Sequence, residues 1–154
     1  MVSFSFASPM ARSVSPPSSP ASKAARQSGV FQHVQRWAMS LALLCLRLQH
    51  GRPLRFGDDT DWGPYSSWVR PLLLLEAGRR EAARAALRRT PVPTGDLLME
   101  AMWALTGRAA VTLGDKAMMR KVEAALAPAI GEPAGAGSGM LTVGPVSRPL
   151  DAFR

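Results

Sequence analysis

Two segments, LLLLEAGRREAARAAL (72–87) and AAVTLGDKAMMRKVEAAL (109–126), decide the fold. Each is an apolar run of helical character, broken once at a Gly, then resumed with inward-facing small and large apolar residues on one side. A Gly just past a helix can adopt the left-handed conformation that closes it, so Gly78 and Gly114 read as turns between helices. Asp115 follows the second Gly and is a natural N-cap for the next helix. Ala82, Ala83, Ala86 and Leu87 form the expected inner face of one helix, and Met118, Val122, Ala125 and Leu126 that of the other.

The two Gly residues stand 36 positions apart. A tetratricopeptide repeat has a period of about 34, with a Gly at its turn and small residues where its helices cross. Ala83 and Leu87 occupy the small and larger apolar positions of such a repeat, whereas the second unit offers Met119 and Glu123 there. An ordinary array of helical hairpins produces the same broad pattern.

Working outward, residues 96–113 carry Leu98, Met102, Leu105, Ala109 and Leu113 on one face, with Thr94 or Asp96 placed to cap the helix. TPVPTG (90–95) interrupts the chain before it, because Pro91 and Pro93 exclude a helix interior. Tyr65 to Ala77 is helical, with Pro71 either starting or kinking its regular part. Further upstream, Phe31, Val34, Trp37, Ala38, Leu41, Leu44, Cys45 and Leu48 recur at helical spacing and end at Gly51.

The fold class expected is all-α: a short array of antiparallel helical hairpins, tetratricopeptide-like, behind a disordered leader at 1–29. Four Pro and nine Ser fall within those 29 residues, too few apolar groups to offset chain entropy. The helical-repeat domain is expected at 30–154, ordered over 30–127. Residues 128–154 read as a Gly/Pro-rich hinge, with Gly137 and Gly139 at its centre, and a broken terminal helix.

The stretches WVRPLLLLEAGRREAARAALRR (68–89), LLMEAMWALTGRAAVTLGD (97–115) and GAGSGMLTVGPVSR (135–148) together resemble the C-terminal tetratricopeptide-like region of actinobacterial SARP-type (BTAD-containing) and related ATPase-linked transcriptional regulators. The resemblance covers residues 62–148, and Gly137, Ser138, Gly139, Gly144 and Pro145 are its most specific part. It implies a truncated C-terminal piece of such a regulator, without the winged helix, the BTAD or the ATPase. No G-x-x-x-x-G-K-[ST] occurs, so neither ATP hydrolysis nor DNA binding is carried over.

Charge and chemistry narrow the function. The formal net charge is +8, yet residues 1–56 hold seven Lys and Arg and no acid, whereas residues 57–154 hold twelve against eleven. The excess is therefore local, and no nucleic-acid reading module accompanies it. Arg80, Arg84 and Arg88 share one helical face, flanked by Arg79 and Arg89; this stripe is either a solvated outer face or a contact for an acidic partner.

Catalytic chemistry finds no footing. GAGSG (135–139) lacks the residues of a phosphate loop and the spacing of a nucleophile elbow. DDTD (58–61) lacks the later Glu of a calcium loop, and His33 and His50 stand 17 apart without a Cys or Glu at metal spacing. Glu76, Glu81 and Glu100 read as exposed helix residues. Cys45 is alone, which fits a buried small hydrophobe in a cytoplasmic protein. The apolar run 37–48 is too short to span a bilayer.

The expected function is thus a non-catalytic interaction module, with no cofactor, metal or membrane, taking a protein partner or a second copy of itself. Specific nucleic-acid binding is not expected, and the alternative is a small basic nucleic-acid-binding protein using the N-terminal tail and the Arg79–Arg89 stripe. Val122 and Leu126, at an end without a capping repeat, are expected to lie partly uncovered as a contact.

Overall fold

The computed structural model describes residues 20–131, 133–135 and 142–145, with side chains from residue 29 onward. The described chain is helical: α1 (Pro20–Gln49), α2 (Ser66–Glu76), α3 (Arg80–Arg89), α4 (Met99–Leu113) and α5 (Lys116–Leu126), with short 3-10 turns at Gly63–Tyr65 and Ala127–Ala129. Among the described residues there is no strand, and one isolated antiparallel bridge joins Pro133 to Pro145. No described helix is long and apolar enough to cross a membrane.

Chain neighbours pack together, α2 with α3 and α4 with α5, and both α2 and α3 lie against α4. The apolar period of α4 explains its central place, since Leu98, Ala101, Met102, Leu105, Ala109 and Leu113 are all buried. The helix ends repeat one device. Gly78 (φ +72°) and Gly114 (φ +70°) take the left-handed conformation. In each case the next residue's amide reaches back to the carbonyl five positions earlier, Arg79 to Leu74 and Asp115 to Ala110. Asp115 then caps α5 by accepting from the Met118 amide at 3.0 Å.

Pro71 sits inside α2 and is buried. Its ring has no N–H, so the Ser67 carbonyl loses its helical donor. The Thr90 hydroxyl stands 3.3 Å from that oxygen and 3.2 Å from the Ala86 carbonyl. Trp68 Nε1 donates to the Pro91 carbonyl at 3.1 Å, so the TPVP segment is tied down along α2. At α4, Asp96 accepts from the Leu98 amide just ahead of the helix, while the cap position itself is Leu98.

Several expectations are corrected. Among the described residues α1 is already helical at Pro20, ten residues before the apolar period starts. The Ala-rich stretch after Pro20 needs no buried face to be a helix former. Phe31 and Val34 are exposed, because α1 runs past the body at that end. Val122 and Leu126 are not an uncovered end: they are 0% and 1% exposed and belong to the single core cluster.

The C-terminal segment is also more than a hinge. Ala134 and Val143 are buried in that same core, held by Ala134 N–H to Gly144 O at 2.9 Å and Val143 N–H to Ala134 O at 3.0 Å. Gly137 and Gly139 lie outside the described residues.

Ala83 and Leu87 of α3 are buried, but the matching positions of α5, Met119 and Glu123, are half-buried and exposed. Measured from each turn Gly, the inner face of α5 is shifted by one residue, which rotates the helix by about 100°.

Candidate interaction surface

Helix α1 is apolar on two opposite faces over residues 37–48, WAMSLALLCLRL. Leu41, Leu44 and Cys45 are 0–1% exposed and face the core. Met39, Leu43 and Leu46 project half a turn away and are 73%, 43% and 51% exposed. An apolar stripe on a helix is ordinarily buried, and this second one lacks a partner within the described residues. Val30 and Phe31, 65% and 63% exposed, continue the inner side of α1 past the body and are not part of this stripe.

The inner face is firmly anchored. Trp37 packs on Tyr65 with ring centroids 5.2 Å apart, and Tyr65 in turn meets Trp68. Gly63 lies so close to the Trp37 ring that a Cβ there would fall 2.6 Å from it. At the far end, Arg108 Nη1 of α4 donates to the Leu48 carbonyl at 3.0 Å, and the Gln49 amide group donates to the Thr142 carbonyl.

The two ends of the outer stripe differ in charge, one purely basic and the other holding acids beside a single Arg. Around Leu43 and Leu46 lies an open hollow of about 810 Å³, lined also by His50, Arg52, Pro53 and Arg55. Arg47 at its edge is occupied internally, donating to the Pro53 carbonyl at 2.9 Å and lying 5.2 Å over the Phe56 ring. Around Met39 lies a second hollow of about 1070 Å³, where Asp59 and Asp61 face Gln32, Gln35 and Arg36. Asp61 Oδ2 stands 3.1 Å from His33 Nδ1, and its other oxygen accepts from the Gly63 amide, so Asp61 is engaged while Asp59 is exposed.

The arginine stripe divides. Arg80 Nη2 donates to the Thr112 carbonyl at 2.9 Å, at the C-terminal end of α4, which makes it a helix-end partner. Arg84 lies 4.0 Å from the highly exposed Glu81, and Arg88 is exposed. Instead, Arg70, Arg79 and Arg89 gather along a groove of about 340 Å³ between α2 and α3. Arg70 comes from a different helix, so spacing within one segment could not have joined it to the others. Met39, Leu43, Leu46, Arg52 and Arg55 were also missed as a surface. The signal that could have found the apolar three is a second apolar stripe opposite Leu41 and Cys45, with Ser40 and Arg47 confined to one side between the two.

The Cys45 thiol is buried, and loss of solvation pushes its pKa from 9.0 up to about 12, leaving it protonated and inert. Burial likewise raises Tyr65, with the Asp96 carboxylate adding to it. Among the described residues no three of His, Cys, Asp and Glu gather to hold a metal ion. Compared with protein-family models, curated proteins and solved structures, the chain matches none.

Proposed function

We propose that this chain is a non-catalytic helical interaction module acting in the cytoplasm, built as a tetratricopeptide-like array and related to the C-terminal region of SARP-type transcriptional regulators. The observation that carries the reading is the outward stripe of Met39, Leu43 and Leu46 on a helix whose other side buries Leu41, Leu44 and Cys45. A contiguous exposed apolar surface rimmed by charge marks a contact site more often than a random feature of a monomer. The repeated Gly turns after Glu76 and Leu113, 36 residues apart and closed by the same backbone bond, support the repeat character. The contact residues move accordingly, from Val122 and Leu126 to the outer side of α1.

Photo-cross-linking tests this. A photoreactive residue at position 43 forms a cross-linked product in cells, whereas one at the exposed position 124 of α5 forms none. Absence of any product from position 43 contradicts the reading.

A second reading, in which the chain binds nucleic-acid backbone, draws on one observation: Arg70, Arg79 and Arg89 line a common groove. Phosphate contacts weaken steeply with salt, so a salt titration of duplex binding tests it; a flat response or no binding rules it out.

A further inference from the structure

We propose that the occupant of the α1 outer stripe is a second copy of this chain, paired antiparallel about a two-fold axis near Leu43. This rests on reading α1 as a contact face and names its partner. A two-fold interface must be complementary to itself after rotation. The stripe meets that demand. Its centre is apolar, with Met39, Leu43 and Leu46 exposed. Turning one copy end for end sets Leu43 against Leu43 and Met39 against Leu46.

The charges then decide the direction. Arg52 and Arg55 rim the stripe beside its C-terminal half, while Asp59 lines the hollow at its N-terminal half together with Arg36, and the exposed Asp58 precedes it in the loop, so the two exposed acids outweigh the one Arg there. Antiparallel pairing brings the basic end of each copy to the acidic end of the other, twice over. Parallel pairing would set Arg52 and Arg55 against their own images, a like-charge juxtaposition that disfavours it. A uniformly acidic peptide would suit the Arg end but be repelled by Asp58 and Asp59. Duplex DNA would meet the same acids and three apolar side chains at the centre of the contact.

Sedimentation velocity of the full chain at rising concentration reads the pairing directly. The wild-type chain is expected to shift from monomer to dimer. Arg52→Glu with Arg55→Glu in one variant, and Asp58→Arg with Asp59→Arg in another, each weaken dimerisation by about tenfold or more, because like charges now face each other twice. An equimolar mixture of the two variants restores the dimer, since each charge again meets its opposite in the heterodimer. All four side chains are exposed, so melting unchanged from the wild type in dilute solution, where each chain is monomeric, certifies the variants as folded. A wild-type chain that stays monomeric, or variants that do not complement each other, overturns the proposal. The mass of the position-43 cross-link separates the two levels of the account. A homodimer mass supports self-pairing, a product with a different protein overturns it while leaving the module intact, and no product removes both.

Discussion

The Thr90 hydroxyl lies 3.3 Å from the Ser67 carbonyl, the acceptor that Pro71 deprives of its helical donor. A residue from the segment after α3 thus repairs a fault inside α2. Its single proton is shared with the Ala86 carbonyl at 3.2 Å, so the two helices are joined at one oxygen.

The relationship predicts a coupling. Thr90→Val removes the donor and should cost about 1 kcal/mol in chemical denaturation. In a Pro71→Ala background the restored amide serves Ser67, so the same change should cost less. Equal costs in both backgrounds would show that the hydroxyl does not compensate for the proline.

Burial separates two pairs of substitutions. Val122→Lys with Leu126→Lys places charges at positions 0% and 1% exposed, so the helical signal should collapse in circular dichroism. Leu43→Lys with Leu46→Lys changes residues 43% and 51% exposed, and melting should be nearly unchanged. The reverse pattern would mean that the wrong face of the array has been placed inside.

Cys45 makes a pH-dependent prediction. The folded chain holds the neutral thiol, with its pKa raised from 9.0 to about 12 chiefly by burial. Its stabilising contribution is intact below 9.0 and is lost as pH climbs from there through about 12. An alkylating reagent at neutral pH should leave the native chain unlabelled and modify it once denatured. Rapid native labelling would place the thiol at the surface.

Asp115 should behave as a true N-cap. Replacing it with Ala removes the acceptor for the Met118 amide and should cost about 1 kcal/mol, with Asn retaining most of that. An Ala variant as stable as the wild type would assign the turn to Gly114 alone.

Local signals were the legible ones. Gly78, Gly114 and Asp115 sit where backbone chemistry admits few alternatives, and each terminates or starts a helix as its residue type predicts. The inner face of α4 was equally plain, because Leu98, Met102, Leu105, Ala109 and Leu113 keep one period and are all buried. What periodicity does not encode is whether a stripe meets a neighbour. Val122 and Leu126 looked open because the segment after α5 reads as a linker, yet Ala134 and Val143 return from it to the core. Phe31 and Val34 looked inward for the opposite reason: they continue the line of Leu41 and Cys45 past the point where the body ends. The outer stripe of α1 was hidden in the same way, since one amphipathic face is enough to satisfy a pattern search.

Hydrogen–deuterium exchange on the full chain, compared between dilute and concentrated solution, tests the central claim most directly. If the outer stripe of α1 is a contact surface filled by a second copy, amides within residues 37–48 exchange more slowly in the concentrated sample. Those of α4, already enclosed, are then unchanged. Exchange in α1 that is identical at both concentrations would contradict self-pairing through this face.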